Sequence, residues 1–244
     1  MMQMTHGGAQ PHPYRSQQVV LAGGAGPGPV NATQPSMPSN VAALAARGGA
    51  IQVPVIGVGC WSWGDDKGVW GWQNYDKSLT KQSISGAFNA SLQGRLRLFD
   101  TAETYGSGLS EKIVGDLLKA TAPDVRGEIV VATKFQPGKW ANRRVREAMV
   151  QAARESCARL GVKQIDLYQI HAPLHRDSLT EQGHGLADVV EAGLARAVGV
   201  SNFNLQEVRE IHAALASRGI PLATNQVEYS ILRSLSLSLS PSLS

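Results

Sequence analysis

The sequence predicts an α/β fold, a (β/α)8 barrel in which about six of the eight β/α units are present. Strand-like and helix-like segments alternate six times with short connections, which is typical of parallel strands joined by right-handed crossovers. The strand-like segments are almost continuously apolar, as expected when both faces of a sheet are covered. The chain lacks the G-x-G-x-x-G and G-x-x-x-x-G-K-[ST] phosphate cradles, which disfavours Rossmann and P-loop folds and leaves the barrel.

The individual elements follow from the spacing of apolar residues. Apolar runs such as VPVIGVG and EIVVAT predict six strands, at residues 53–59, 96–100, 128–133, 165–170, 196–200 and 222–225. Apolar residues near 3.6-residue spacing predict five helices, at residues 77–93, 111–120, 142–160, 187–192 and 204–217. Ser110 is placed to cap the second helix, and Asn204 with Glu207 forms a capping-box pattern at the start of the fifth.

The composition changes near residue 50 and divides the chain into three parts. Residues 1–50 are rich in Gly, Pro, Ala, Gln and Ser, and no acidic residue occurs before Asp65, so we expect a disordered segment. With Arg15 and Arg47, this composition is typical of an organelle transit peptide, and a plain disordered tail is the alternative. Residues 51–232 are the predicted barrel domain, and residues 233–244 are a Leu/Ser low-complexity tail.

The overall charge and the cysteines exclude some classes of protein. A net charge of +4 and a pI near 9.2 are mild, which argues against a dedicated nucleic-acid binder. One basic cluster is interpreted as the solvated start of a helix, with phosphate contact as the alternative; it comprises Lys139, Arg143, Arg144 and Arg146. Cys60 and Cys157 lie on different predicted elements, so we expect no disulfide framework and a reducing compartment. The apolar runs are too short for a membrane span, which needs about 20 residues.

Five of the six predicted strands end in or lead directly into a residue able to do acid–base or hydrogen-bond work, and the loop after the first strand carries a cysteine and a tryptophan. The residues at these positions are Cys60 and Trp61, Asp100, Lys134, His171, Ser201 and Asn202, and Gln226, with Tyr105 in the loop after the second strand. Taken singly, such a histidine is usually structural, such a lysine solvated and such an aspartate a helix cap, and Trp61 is as readily core as pocket. In a barrel, however, these positions share one face, the face that carries the chemistry. Their coincidence therefore predicts a site.

Four of these residues form a coherent set for acid–base work. A tyrosine such as Tyr105 has an ordinary pKa near 10, so it holds a proton that it can donate. A cationic Lys134 beside it would favour the phenolate, and Asp100 would hold that lysine in place and charged. His171 could hydrogen-bond a carbonyl oxygen and orient it. Amides such as those of Asn202 and Gln226 suit a carboxamide like that of nicotinamide, so the set fits carbonyl reduction with hydride from a cofactor.

The motifs FDTAETYG, VATKF, DLYQIH, AVGVSNF and TNQVEYS resemble, in order, the strand-end motifs of the aldo-keto reductase family, over about residues 53–232. The resemblance implies NADPH as cofactor and a small-molecule carbonyl substrate, with no role for nucleic acid or membrane. It also implies a catalytic tetrad of Asp100, Tyr105, Lys134 and His171. The implied cofactor contacts are Ser201, Asn202 and Gln226 around the nicotinamide, and Cys60 and Trp61 in the first loop.

Within the family, GCWSWGDDKGVWGWQ, KFQPGKW and IHAALASRGIPLATNQVEYSIL resemble plastid members of plants and algae. That likeness implies pyridoxal as a candidate substrate and the chloroplast as location, with the cytoplasm otherwise. Ala172 stands where such relatives tend to have tryptophan, which implies a more open pocket. The sequence shows no likeness to the family's seventh and eighth strands, whose loops grip the cofactor. The alternative to a reductase is therefore an inactive barrel or a non-enzymatic interaction subunit, and we expect marginal stability.

Overall fold

A seven-stranded sheet forms the centre of the fold in a computed structural model, which describes residues 17–21, 41–64 and 80–228. The strands are β1 (Gln17–Leu21), β2 (Val41–Leu44), β3 (Ile51–Pro54), β4 (Val58–Gly59), β5 (Leu98–Asp100), β6 (Val130–Phe135), β7 (Ile165–Ile170), β8 (Ala195–Ser201) and β9 (Leu222–Glu228). Strands β4 to β9 are parallel and lie side by side in chain order, and β1 pairs antiparallel with β9. This six-stranded parallel sheet confirms the predicted incomplete (β/α)8 barrel.

Helices connect the parallel strands and cover the outer face of the sheet. They are α1 (Lys81–Gln93), α2 (Leu109–Ala120), α3 (Pro123–Arg126), α4 (Val145–Leu160), α5 (Leu179–Glu191) and α6 (Leu205–Ala216), with 3-10 turns at Tyr105–Gly108 and Pro137–Trp140. The predicted capping box starts α6, where Glu207 N donates to the Asn204 side chain and Asn204 N donates to the Glu207 side chain. None of the helices within the described residues is both long enough and apolar enough to span a bilayer.

Both faces of the parallel strands are buried, which explains their continuous apolar sequences. Alternate residues of β6 show the pattern. Val131 and Phe135 pack with the helices in the larger apolar cluster, whereas Val130 and Ala132 face the barrel interior. Each of the other long strands contributes to the same interior layer, which contains Leu98, Leu167, Ala197 and Ala223. Cys60 and Cys157 are both buried free thiols, as expected.

A hairpin closes the barrel beneath this interior layer and corrects two predictions. Strands β2 and β3 pair antiparallel, and their apolar residues Leu44, Ile51 and Val53 join the interior cluster. The expected disorder before residue 50 therefore does not extend to Val41–Leu44. The hairpin reverses at Gly48 and Gly49, which have φ values of 90° and 130° and so require glycine. The predicted strand at 53–59 is two elements, and only its last two residues pair with β5.

The structure also shifts four predicted helix starts. Thr80 caps α1 by accepting from Ser83 N at 3.1 Å. The first three residues of the predicted helix, 77–79, lie outside the described residues, and so does the 233–244 tail. Ser178 caps α5, which begins well before the predicted 187. Ser110 does not cap α2, because Gly108 holds the N-cap position with φ of 91°. The predicted helix at 142–160 begins at Val145.

Candidate active site

Parallel strands bring their carboxyl ends to one face of the sheet, and the predicted site residues lie there. They are Cys60 and Trp61 after β4, Asp100 at the end of β5, Tyr105 in the turn after it, Lys134 in β6, His171 after β7, Ser201 at the end of β8, Asn202 after it, and Gln226 in β9. The structure brings most of them into direct contact with one another.

The centre of the site is a buried ion pair. Lys134 Nζ donates to Asp100 Oδ2 at 2.6 Å and to the backbone oxygen of Thr101 at 2.9 Å. The Lys134 side chain is fully buried and that of Asp100 is 7% exposed, so little water competes with the pair. Burial opposes the charge of Lys134, but the Asp100 carboxylate and Tyr105 outweigh it and raise the pKa of this lysine. Lys134 is therefore a cation at neutral pH.

A tight turn holds Tyr105 against this pair. The Tyr105 hydroxyl lies 3.4 Å from Lys134 Nζ, and the ammonium group lies 5.1 Å from the centre of the phenol ring. The next two residues, Gly106 and Ser107, have positive φ values of 53° and 56°. A Cβ at Gly106 would lie 2.5 Å from the backbone oxygen of Gly64, so only glycine allows the turn to approach the loop after β4. Tyr105 is left only 3% exposed.

His171 completes the predicted tetrad beside the phenol. Its ring meets the Tyr105 ring edge-on, with centroids 5.6 Å apart and planes at 76°. Burial, and after it the charge of Lys134, lower the pKa of His171 from 6.5 to about 3. The imidazole is therefore neutral at physiological pH. Its buried Nδ1 has no hydrogen-bond partner among the described residues. A neutral imidazole next to a phenol can bind a carbonyl oxygen without adding a charge to the pocket.

The loop after β4 brings Trp61 to the site but not the thiol of Cys60. The Trp61 ring centroid lies 6.1 Å from that of Tyr105. Cys60 is 0% exposed and belongs to the apolar core, where burial, followed by the charge of Asp100, raises the pKa of its thiol. Its backbone joins the loops, since Cys60 N donates to Asp100 O and Ser110 Oγ donates to Cys60 O, both at 2.8 Å. The thiol is thus a packing group, and the predicted contact of Cys60 with the cofactor stays a prediction.

Ser201, Asn202 and Gln226 form one hydrogen-bonded group at the ends of β8 and β9. Asn202 N and Ser201 Oγ both donate to Gln226 O at 2.9 Å. Asn202 Nδ2 lies 3.1 Å from both His171 O and Ser201 Oγ. Asn202 is exposed and has a φ of 64°, a conformation that asparagine tolerates better than most residues. Gln226 Nε2 donates to Asp100 Oδ2 at 3.2 Å, which connects this group to the ion pair.

Glu103 is a buried carboxylate that the sequence analysis did not single out. Its backbone N donates to Lys134 O at 3.3 Å, and its Oε1 accepts from Gln136 N at 2.7 Å. Lys139 Nζ donates to its other oxygen at 2.7 Å, and Trp140 Nε1 lies 3.1 and 3.2 Å from the two oxygens. Glu103 therefore ties the tyrosine loop to the end of β6 and to the turn that follows it. Its position inside the DTAETYG motif was the available signal.

Two further residues missed from the sequence, Gln169 and Thr224, extend the polar group into the barrel interior. Thr224 Oγ1 donates to Gln169 Oε1 at 2.9 Å, and both residues are buried. Alternation along β7 places Gln169 on the same face as Leu167, whose side chain lies in the interior layer. A polar residue at an interior position of a barrel strand is a signal that could have found it.

Two of the four residues in the basic cluster before and at the start of α4 pair with acids. Lys139 pairs with Glu103, and Arg146 donates to both oxygens of Asp188 at 2.7 and 3.0 Å. These pairings favour the interpretation of the cluster as charges at the start of a helix over a phosphate contact.

Comparisons with known proteins agree with this geometry. A family model described as the aldo/keto reductase family matches residues 55–238. The chain is 37% identical over 196 residues to a chloroplastic pyridoxal reductase of Arabidopsis thaliana, covering 75% of this chain and 51% of that protein. It is 32% identical over 186 residues to the aldo-keto reductase YhdN of Bacillus subtilis (strain 168), covering 74% of this chain and 51% of that protein. The chain thus spans about half the length of these curated relatives.

Solved structures show the same likeness. The thermostable aldo-keto reductase Tm1743, crystallised with the inhibitor epalrestat, matches with a TM-score of 0.61 and 25% identity over 78% of this chain and 62% of that one. An aldo/keto reductase from Klebsiella pneumoniae in complex with NADP and acetate matches with a TM-score of 0.53 and 26% identity, over 68% of this chain and 50% of that one. Sequence, fold and strand-end residues together show that the chain belongs to the aldo/keto reductase family.

Proposed function

We propose that this chain carries the catalytic centre of an NADPH-dependent reductase that converts an aldehyde or ketone to an alcohol, with Tyr105 as the proton donor. The observation that carries the proposal is the contact between a charged, fully buried Lys134 and the Tyr105 hydroxyl at 3.4 Å, with Asp100 bound to the same ammonium at 2.6 Å. Such an arrangement serves a proton transfer and has no evident structural purpose, because a buried ion pair is seldom a net source of stability.

Each of these residues has a distinct part in the proposed proton transfer. As Tyr105 gives its proton to the substrate oxygen, negative charge develops on the phenol oxygen, and the nearby Lys134 cation stabilises it. Asp100 fixes the position of the lysine through the 2.6 Å bond. His171 is neutral, so it can hydrogen-bond the same substrate oxygen and orient the carbonyl towards Tyr105.

The residues at the strand ends fit a nicotinamide. Asp100 Oδ1 and His171 Nδ1 are buried polar atoms without partners among the described residues, so the site has hydrogen-bonding capacity that a ligand could use. Ser201, Asn202 and Gln226 offer hydroxyl and amide groups complementary to a carboxamide, and Trp61 would border the ring. When bound, NADPH supplies the hydride. The Klebsiella pneumoniae relatives crystallised with NADP and with NADPH support this choice of cofactor.

Pyridoxal is the first substrate to test. The Arabidopsis thaliana relative is a chloroplastic pyridoxal reductase. We extend both properties to this chain as proposals, the chloroplast location supported by the acid-poor composition of residues 1–50 and with the cytoplasm as the alternative. Relatives tend to have tryptophan where this chain has Ala172, directly after His171, and we expect the smaller side chain to admit a substrate larger than a simple aldehyde.

The test combines cofactor binding with a tyrosine substitution. NADPH is titrated into the 244-residue chain, and the change in cofactor fluorescence gives Kd. Reduction of pyridoxal and of a simple aromatic aldehyde is then followed by loss of NADPH absorbance. Tyr105→Phe should lower kcat by about 100-fold or more, as expected for loss of a general acid, while Kd for NADPH changes by less than about twofold.

Tyr168→Phe is the matched control. Tyr168 is also fully buried, but it lies outside the site and its hydroxyl has no partner among the described residues, so its loss should leave kcat unchanged. Turnover retained in Tyr105→Phe would refute the role of the phenol as proton donor. No NADPH binding by the folded chain would refute the reductase and leave the alternative, a barrel without catalysis that serves as an interaction subunit.

A further inference from the structure

A chain of buried hydrogen bonds crosses the barrel interior and ends at the ion pair. Thr224 Oγ1 donates to Gln169 Oε1 at 2.9 Å, Gln169 Nε2 lies 3.5 Å from Gln226 Oε1, and Gln226 Nε2 donates to Asp100 Oδ2 at 3.2 Å. The relative exposures of Thr224, Gln169, Gln226 and Asp100 are 1%, 0%, 2% and 5%. Because water does not reach these atoms, each of them must find its hydrogen-bond partner in the adjacent residue of this hydrogen-bond chain.

The charge of Asp100 determines the direction of every bond in this chain. An amide carbonyl placed against the carboxylate would be repelled, so Gln226 must turn its NH2 group to Asp100 and its carbonyl away. Gln169 must then present its own NH2 group to that carbonyl, which leaves its oxygen facing the hydroxyl of Thr224. The Thr224 hydroxyl must therefore point its hydrogen at the Gln169 oxygen and act as the donor. Four residues are thereby locked in one arrangement.

The backbone around the chain is shaped to accommodate it. The pairing of β8 with β9 shifts register between Val198 and Gly199. A Cβ on Gly199 would lie 2.0 Å from Thr224 Oγ1 and 3.3 Å from Gln169 Cγ, so any larger residue would push both side chains out of place. Glycine at this position therefore leaves the space in which the Thr224 hydroxyl meets Gln169.

We propose that Gln169 and Thr224 are positioning residues for the reaction, which act through Gln226 on the Asp100 carboxylate. Asp100 Oδ2 accepts from both Lys134 and Gln226, so the orientation of the carboxylate depends on both donors. If the Gln226 amide is released, the carboxylate is free to rotate, and the lysine loses part of its fixed position beside Tyr105. Neither Gln169 nor Thr224 touches the reacting atoms. The inference rests on the proposed reductase function.

Thr224→Val, which removes the hydroxyl and keeps the shape, is the first test. We expect kcat for carbonyl reduction to fall by about three- to tenfold, with KM for the carbonyl changed by less than about twofold, because the loss is one of alignment. In a Gln226→Met background the hydrogen-bond chain is already broken, so adding Thr224→Val should cause no further fall in kcat. Equal falls in both backgrounds would overturn the proposal.

Thr133→Val is the matched control. Thr133 is an equally buried threonine on strand β6, but its hydroxyl donates at 2.6 Å to Glu111, which is not part of the hydrogen-bond chain. Its loss should lower the free energy of unfolding by an amount similar to that of Thr224→Val and leave kcat unchanged. A fall in kcat as large as that of Thr224→Val would mean that stability alone explains both, and would overturn the proposal.

A measurement that needs no catalysis separates this inference from the proposed function. The side-chain NH2 resonances of Gln226, assigned by their loss in Gln226→Met, should shift in Thr224→Val and in Gln169→Met but not in Thr133→Val. Unmoved resonances would overturn the hydrogen-bond chain even if the unmodified protein reduces carbonyls. Shifted resonances in a protein that reduces no carbonyl would uphold the chain but overturn the reductase function, and with it the catalytic role of Gln169 and Thr224.

Discussion

Lys134 and His171 both pack against Tyr105, yet at neutral pH the lysine is charged and the histidine is neutral. Lys134 keeps its proton because Asp100 is bound to it, although burial by itself lowers the pKa of this lysine. His171 has no such anion, so burial and the lysine keep it neutral. Burial opposes the charge of both side chains, and only the lysine has a carboxylate at hydrogen-bond distance that keeps it charged.

The lowered pKa of His171 predicts a loss of stability in mild acid. The unfolded chain binds a proton at this histidine near pH 6.5, whereas the folded chain does so only at about 3. The contribution of His171 to the free energy of unfolding is therefore fully present above pH 6.5. It falls as the pH drops from 6.5 towards 3, by at most about 1.4 kcal/mol per pH unit. Urea unfolding between about pH 7 and pH 5 should show this fall, and His171→Gln, which cannot titrate, should show a smaller one. Equal slopes in the two proteins would contradict the pKa assignment.

Two aspartates with lowered pKa values act outside this window. The pKa of Asp177 is lowered chiefly because Val145 N donates to its carboxylate. Burial opposes the shift at Asp188, but Arg146 and Arg218 outweigh it. The contributions of both aspartates to the free energy of unfolding are present above pH 3.8, which is the ordinary pKa of an aspartate, and are lost as the pH falls below it. They therefore do not obscure the effect of His171.

At the scale of single residues, the sequence predicted the four side chains that the structure brings together but not the residues that support them. Asp100, Tyr105, Lys134 and His171 could be found because each follows an apolar strand in a motif of recognisable chemistry. The interior position of Gln169 is a signal in the sequence, but its role is not, since its partner Thr224 is far away in the chain and only the folded sheet brings them together. For the same reason the burial of the Cys60 thiol could not be read from the loop that carries it.

The packing of α2 against α4 depends on one glycine. A Cβ at Gly115 would lie 2.7 Å from the backbone oxygen of Arg159 and 2.8 Å from that of Leu160. The close approach lets the Arg159 side chain reach Glu111, near the start of α2, with Nε 2.5 Å from a carboxylate oxygen. Glu111 in turn accepts from Thr133 on β6, so helix, helix and strand meet at one buried acid.

We predict that Gly115→Ala lowers the free energy of unfolding by about 1–3 kcal/mol, because the added methyl group meets backbone that cannot move aside. The control is Gly86→Ala in α1, where no atom lies within 4 Å of the added Cβ. There the better helix propensity of alanine should raise stability by up to about 1 kcal/mol. Denaturant unfolding of both variants gives the comparison, and a neutral or stabilising Gly115→Ala would rule out the close helix contact.

The elements best predicted are those whose signals are local. The strand at Ile165–Ile170 and the capping box of α6 follow directly from adjacent residues. Helix α5 was predicted too short because Gly183 and Gly185 weaken its first turns as a helix pattern. In the structure a Cβ at Gly183 would lie 2.6 Å from that of Ala214, so this glycine is there for contact with α6. Tertiary packing, which the sequence pattern does not report, determines such residues.

The interior of the barrel shows how the molecule as a whole excludes water from an open sheet. Within the described residues, β4 has a neighbour on one side only, and β1 covers the edge at β9. The hairpin of β2 and β3 fills the space beneath the six strands, with Leu44 at 1% and Ile51 at 3% exposure. Residues far apart in the chain thus share one apolar layer. The sequence analysis missed this arrangement because it expected no structure before residue 50.

Leu44→Ala should therefore destabilise the whole domain by about 2–5 kcal/mol, because it leaves a cavity beneath the strands. Ile56 provides the control, since it is a large apolar residue close to the same hairpin but 62% exposed. Ile56→Ala should change the free energy of unfolding by less than about 0.5 kcal/mol. Thermal or urea unfolding measures both. A Leu44→Ala protein as stable as the unmodified one would show that the hairpin does not seal the barrel.

The ion pair at the centre of the site also limits how far its field reaches. Asp100 and Lys134 carry equal and opposite charges 2.6 Å apart, so at a distance they act as a dipole and not as a net charge. A dipole acts strongly on an atom beside its positive end, such as the Tyr105 oxygen, but its potential decays much faster than that of a single ion. The pair should therefore do little to attract charged ligands from solution. Added salt would then slow the arrival of an anionic cofactor only through other surface charges, and would leave the proton transfer itself almost unaffected.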